Sequence, residues 1–428
     1  MATFSAEVTP PMGHACMAGG IAPAQRLIDP LWCHGLVLLG GEKPVVLAAI
    51  DWCEIRNDAY DQWRDALAEA AGTVRTHVFF ACVHQHDTPV ADLTAQRLLD
   101  EAGLPNALCD VPFHEAAVKR VAAAVRVALD HAQPVTHYGV GEAEVQELAS
   151  NRRVERADGA VGYPRMSATP DPEVRAAPAG EIDPKLKALS FWNADTPVAA
   201  IYVYAVHPMS FYGKGGVSAD FPGLARQLRL AAAPNVHQIY FSGCSGDVVA
   251  GKWNDGAPEN RLVLAKKIFD AMMLAWERSE KYPIEAPSVR VAHLVLPVKE
   301  TKDFTEAEMK AILADPRQKT FQRILAAMGL SWRKRVASGQ PIDVPALDLG
   351  AAKFLLMPAE SFVGYQLMAQ QLLPEKMVLV AGYGECAPGY IPTAAATAEH
   401  FNDDQDWCWV GPGAEEAMRT AMTEALGR

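Results

Sequence analysis

The alternation of apolar and polar stretches along the chain lays out a series of buried strands and amphipathic helices. Leu36-Val-Leu-Leu and Val45-Val-Leu-Ala-Ala-Ile50 are apolar runs separated by Gly40-Gly41, a hairpin signal. Trp63, Leu67 and Ala70 recur at helical spacing and predict a helix from about Ala59 to Ala70. The six residues before His84, Val78-Phe-Phe-Ala-Cys-Val83, are all apolar and read as a buried strand. Val118, Val121, Ala122, Val125 and Leu129 place a helix over 112–132, followed by a strand at Tyr138–Val145. Leu189–Trp192 and Pro197–Val206 form a second hairpin, and Gln238–Ser242 a further strand. Helices are expected over Glu259–Ser279, Ser361–Leu373 and Gly413–Leu426, and strands at Ala352–Met357 and Met377–Ala381. Residues 303–338 predict a helical hairpin inserted as a lid or flank, and Arg156–Asp183 a long surface loop. The pattern predicts an α/β fold: a mixed central sheet flanked by helices, with the site on loops at strand ends. Residues 1–428 form one domain in this reading, and no internal repeat is visible.

Half of the chain is hydrophobic, enough for a large core, and the net charge is −12. The longest basic run is Arg333-Lys-Arg335, which argues against nucleic acid and anionic membrane surfaces as partners. No segment offers the roughly 18 uninterrupted apolar residues that a membrane span requires. The first residues lack a basic n-region and an apolar h-region, so a cytoplasmic protein is expected. The eight cysteines are scattered without a CxxC pair, as reduced, buried thiols are. A homo-oligomer is compatible with these features.

Candidate chemistry gathers where strands end. Residues i and i+2 of a strand share a face, so His84 and His86 are placed side by side. His207 follows a second buried strand, Glu360 a third, and Glu385 and Tyr390 lie in the loop after a fourth. A catalytic zinc takes about three nitrogen or oxygen ligands and keeps one position open for water. Two histidines and a carboxylate from separate strand ends meet that need. On the residues alone, an alternative stands beside it: polar groups that merely face water at a strand rim. Other hydrolytic signatures are absent, including HExxH, a G-x-S-x-G elbow and the P-loop.

Several short motifs, in order, resemble the catalytic domain of the neutral/alkaline (non-lysosomal) ceramidase family. Phe4-Ser-Ala-Glu-Val-Thr-Pro-Pro-Met-Gly13 with Met17-Ala-Gly-Gly20 is similar to that family's opening. Val83-His-Gln-His-Asp-Thr-Pro89 resembles its His-Thr-His-Ser-Gly-Pro, and Ala149-Ser-Asn-Arg152 its Asn-Arg element. Tyr204-Ala-Val-His207, Pro358-Ala-Glu360, Gly389-Tyr390-Ile-Pro-Thr393 and Pro412-Gly-Ala-Glu-Glu416 resemble four later motifs. The resemblance implies a Zn2+ site of His84, His207, Glu360 and Tyr390, with His86 and Arg152 stabilising the oxyanion. Asp247 and His400 are the residues it suggests for substrate binding. Two departures stand out. Val249, in Gly246-Asp-Val-Val249, takes the place of a family serine, and His400-Phe401 falls where a family tyrosine is expected. They point away from ceramide. The expected activity is a zinc-dependent hydrolase acting on the carboxamide of a small soluble molecule. A lactone, ester or sugar-derived substrate is the alternative, and a non-catalytic binding protein on the same fold the alternative of another class.

Overall fold

The computed structural model describes residues 1–156, 159–401 and 405–428. It is an α/β structure, with its mixed strand pairing divided over three large sheets where the sequence suggested one. The first sheet runs β1 (Ala2–Glu7), β2 (Trp32–Leu38), β3 (Val45–Ile50), β4 (Val78–Cys82). The second contains β5 (His137–Glu144), β6 (Lys185–Asn193), β7 (Thr196–Tyr204), β8 (His237–Ser242) and β9 (Glu280–Pro283). Its spatial order is β8-β7-β6-β5-β9. The third runs β10 (Ser288–Leu294), β11 (Ile342–Asp348), β12 (Ala352–Leu356), β13 (Met377–Ala381).

One motif recurs in all three sheets. An antiparallel hairpin (β2–β3, β6–β7, β11–β12) leads through a helix to a strand parallel to the hairpin's second strand (β4, β8, β13). The connecting helices are Asn57–Ala71, Asp220–Ala232 and Val363–Leu372. This is a repeat of topology, which the sequence did not reveal. Any buried strand accepts many apolar residues, so three copies of a motif need share no letters. The ends of β4, β8 and β13 are tied into a ring. Ser242 Oγ donates to the Val83 carbonyl at 2.7 Å, Gly382 N to Ser242 O at 2.9 Å, and Cys82 N to Tyr383 O at 2.9 Å.

Local chemistry sets the elements. β3 and β4 are buried along their whole length, as continuous apolar runs require. Helix Asn57–Ala71 stops at Gly72, whose φ of 66° lets its N–H turn back to Ala68 and Glu69. The predicted insert contains helices Glu306–Ala314 and Thr320–Ala337. Ser331 Oγ donates to Asp92 at 2.7 Å, and Arg335 pairs with Asp61 at 2.8 Å and Glu385 at 3.4 Å. These buried polar ties are costly to break, which pins the insert to the first sheet's helix. The expected surface loop at 156–183 is mostly exposed or half-buried in its described part and has one deep anchor. In its described part Arg165 is fully buried, donating to the carbonyls of Asn151, Val174, Ala177 and Pro178. Four backbone acceptors hold its two terminal nitrogens, so Arg165 fastens the loop to the body of the protein.

Candidate metal centre

Three strand ends deliver the candidate ligands to one point. His84 follows β4, His207 follows β7, and Glu360 follows β12; each is buried. Glu360 Oε2 lies 3.0 Å from His207 Nε2 and 3.4 Å from His84 Nε2. The three ligand atoms lie within 4.8 Å of one another. The backbone turns sharply to present them: His84 has φ 76°, and Ala359, just before Glu360, has φ 48°. Non-glycine residues in the left-handed region cost about 1–3 kcal/mol each and persist where the surroundings enforce them.

The hydrogen bonds decide which imidazole nitrogen carries the proton. His84 Nδ1 sits 2.8 Å from the Cys53 carbonyl, and His207 Nδ1 sits 2.6 Å from the Ser245 carbonyl. A carbonyl only accepts, so each Nδ1 donates and each neutral ring leaves a bare lone pair on Nε2. Both Nε2 atoms and Glu360 Oε2 are buried without a hydrogen-bond partner among the described residues. With both rings neutral, three unshared lone pairs therefore face one another in a buried pocket. Such an arrangement is unfavourable alone and suits a cation with nitrogen and oxygen ligands. Backbone carbonyls behind ligating histidines are the usual device for fixing ring and tautomer. The residues fit zinc.

The remaining groups surround this point. Glu360 pairs in register with Tyr390 across a two-residue parallel ladder. Arg152 donates to the Tyr390 hydroxyl at 3.2 Å, and its guanidinium lies 5.6 Å from the ring centre. Met166, half exposed, covers the other side of Arg152 with its sulfur 3.8 Å away. His86 stands beside His84 with ring centres 5.2 Å apart, and its far side meets Tyr212 at 5.0 Å. Burial, then the neighbouring His84 and His207, hold the His86 imidazole well below its ordinary range, so it is neutral. Burial also lowers His207 to about 4, with Arg152 reinforcing the effect and Glu360 opposing it. Tyr390 is pushed above the usual tyrosine range by burial, against the pull of Arg152.

No protein-family model matches the chain, and no curated protein matches it in sequence. Solved structures do match. The crystal structure of neutral ceramidase from Pseudomonas aeruginosa gives a TM-score of 0.70 at 16% identity, over 100% of this chain and 74% of that one. A structure described as ceramidase complexed with C2 gives 0.71 at 15% identity, with the same coverage of both chains. The chain has the neutral ceramidase fold.

Within this ceramidase fold, the two sequence departures fall in different places. Val249 is fully buried in a two-residue ladder with Ser150, whose hydroxyl donates to the Val249 carbonyl at 2.9 Å. Phe401 packs edge-on against Tyr390, ring centres 5.6 Å apart, and also touches Tyr163 and Phe362. His400 beside it is exposed, with φ 64°. Of this pair, Phe401 therefore faces the centre. Asp247 is buried and its carboxylate is already engaged: Asn151 Nδ2 and Val363 N each donate to it at 2.8 Å. Burial raises that carboxyl to about 6, the bonds from Val363 and Asn151 opposing. Glu385 is likewise a clasp, accepting from Asn57 N at 2.8 Å and Ala387 N at 2.9 Å. A cavity of about 920 Å³ lies between helices Leu93–Glu101, Glu306–Ala314 and Thr320–Ala337, and none of these groups lines it.

Sequence reasoning missed Tyr383, Ser245 and Cys53. Tyr383 stacks on His84 at 4.3 Å, and its hydroxyl meets Ser245 Oγ at 2.8 Å. A tyrosine between two glycines at a strand end, Gly382-Tyr-Gly384, was the signal available.

Proposed function

We propose that this chain is a zinc-dependent hydrolase that cleaves the carboxamide of a small molecule, using a ceramidase-like site. The observation that carries the proposal is the meeting of three buried, unpartnered lone pairs from His84, His207 and Glu360. Tyr390, paired in register with Glu360, supplies the fourth oxygen. Zinc held by these residues lowers the pKa of the water it binds toward ~7 and polarises a carbonyl oxygen.

The protein's own groups supply the rest. Arg152 carries a permanent charge beside Tyr390, and its Nε has no partner among the described residues. That free donor is suited to a carbonyl oxygen as it gains negative charge. His86, neutral and next to His84, adds a second polar group on the same side. Met166 packs beside Arg152 and Tyr212 beside His86. Phe401 gives the Tyr390 side of the site an apolar wall, which favours an apolar substituent there over a hydroxylated one. Asp247 acts from behind, by holding Asn151 next to Arg152 and the start of helix Val363–Leu372. All eight cysteines are free and buried, which agrees with a reducing, cytoplasmic setting. Among the described residues no helix is long and apolar enough to cross a membrane.

Metal analysis of protein purified without a histidine tag tests the metal half of the proposal. One zinc per chain is expected, lost together with activity in the His84→Ala, His207→Ala double variant. Stoichiometric zinc retained by that variant refutes the ligand assignment. A panel of N-acyl compounds and lactones, assayed on the zinc-loaded enzyme, tests the bond. Turnover confined to lactones would move the assignment from carboxamide to ester chemistry.

A further inference from the structure

The three ligand arms come from three different sheets, and each sheet could shift relative to the others without breaking its own hydrogen bonds. A metal site needs its ligands fixed to a few tenths of an ångström. The structure points to one residue that touches all three arms. We infer that Tyr383 is the positioning residue that holds the His84, His207 and Glu360 arms in register for the metal. This inference rests on the zinc site proposed above.

Tyr383 follows β13 and is fully buried. Its ring lies on His84, centres 4.3 Å apart and planes at 22°. Its hydroxyl bonds to Ser245 Oγ at 2.8 Å and lies 3.4 Å from His207 Nδ1. Ser245 is also the residue whose carbonyl accepts the His207 Nδ1 proton. Fixing the Ser245 side chain therefore fixes the group that orients the second histidine. The third contact is made by the backbone: Tyr383 N donates to the carbonyl of Ala359, the residue before Glu360, at 3.1 Å. Tyr383 O in turn accepts from Cys82 N, two residues before His84, at 2.9 Å.

The segment that carries Tyr383 is itself held from several sides. Tyr383 has φ 58°, a strained value for a tyrosine, so its surroundings must impose it. Gly382 N donates to Ser242 O at 2.9 Å and Gly384 N to Met357 O at 3.1 Å. A Cβ at Gly382 would lie 2.9 Å from the Gly243 carbonyl oxygen, and one at Gly384 would lie 3.1 Å from that of Met357. The glycines let the neighbouring backbones close on this turn, and the tyrosine between them fills the space behind both histidines. Phenylalanine would keep the stack on His84 but lose the bond to Ser245; leucine would lose both.

The test uses the full-length chain, stripped of metal and titrated with zinc against a chromophoric chelator. Removing an outer partner of a metal ligand typically costs about 10–100-fold in affinity. Tyr383→Phe is expected to weaken zinc binding about 10-fold, and Tyr383→Leu about 100-fold. Cobalt(II) in place of zinc gives a second readout, since its visible absorption follows ligand geometry. Both variants should shift that spectrum. Tyr138→Phe is the control: it removes the hydroxyl that accepts from Ala351 N, remote from the centre, and should leave affinity and spectrum unchanged. Wild-type affinity and a wild-type cobalt spectrum in Tyr383→Phe and Tyr383→Leu would overturn the inference while leaving the zinc site standing. If Tyr383→Leu fails to fold, Tyr383→Phe decides alone. A wild-type protein that binds no zinc refutes the proposed function, and the inference falls with it.

Discussion

Replacing Glu360 by glutamine is expected to move stability and zinc binding in opposite directions. In the metal-free protein with both imidazoles neutral, Glu360 Oε2 faces the lone pairs of His207 Nε2 at 3.0 Å and His84 Nε2 at 3.4 Å. An amide nitrogen at that position carries two hydrogens, one for each imidazole. Each buried acceptor that gains a donor is relieved of about 1–3 kcal/mol, so a net stabilisation of about 2 kcal/mol follows once imperfect geometry is allowed for. The pH dependence carries a definite sign. Burial opposes the charge on His84, but Glu360 outweighs it and raises the imidazole above its ordinary range. A raised pKa contributes stability below the unfolded value, near ~6.5, which is lost as pH climbs through the folded value. The wild-type apoprotein thus has a His84–Glu360 ion pair at low pH and facing lone pairs at high pH. The advantage of Glu360→Gln should be small near pH 6 and largest near pH 9. Urea unfolding of chelator-treated proteins at both values measures it as a shift in midpoint at constant slope. Zinc at about 1,000 times its Kd adds ~4 kcal/mol to the wild type alone, which reverses the order. A Glu360→Gln apoprotein less stable than wild type at pH 9 would refute the reasoning, because the carboxylate would then be a structural partner of the histidines.

Arg152→Ala should keep its zinc and lose about 10²–10³ in kcat, the usual cost of one oxyanion donor; an unchanged kcat with a raised KM would instead place Arg152 on a remote substrate group. Asp247→Ala breaks the bonds to Asn151 and Val363 and should cost about 2–4 kcal/mol in chemical unfolding, one buried partner left unsatisfied on each side. A variant of full stability with raised KM would return Asp247 to direct substrate contact. Ceramide should be a poor substrate: Phe401 sets an apolar ring against Tyr390, and a sphingoid hydroxyl buried there goes unpaired at about 1–3 kcal/mol. Efficient cleavage of a short-chain fluorescent ceramide by the zinc-loaded enzyme would contradict this.

The sequence by itself determined most of the strands and helices, though not β1, β9, β10 and β11, and the fact that His84, His207 and Glu360 stand where strands end. These are local consequences of apolar runs and their breakers, and β3, β4, β7, β12 and β13 lie close to where the pattern places them. It also held the motif order that resembles ceramidases. What it could not determine is which strand ends meet. That depends on how three sheets close against one another, through bonds such as Ser242 to Val83 and Gly382 to Ser242, between residues far apart in sequence. The repeated hairpin–helix–strand motif escaped notice for a related reason: burial constrains volume and polarity, not identity. Arg165 anchors the surface loop by collecting four carbonyls that no local pattern announces. The protonation of the histidines was decided in the same way, by the Cys53 and Ser245 carbonyls standing behind them. Tyr383 is the clearest case. Its left-handed backbone and its contacts with three separate arms exist only once the sheets are assembled, because tertiary hydrogen bonds, not neighbours in the chain, hold it there.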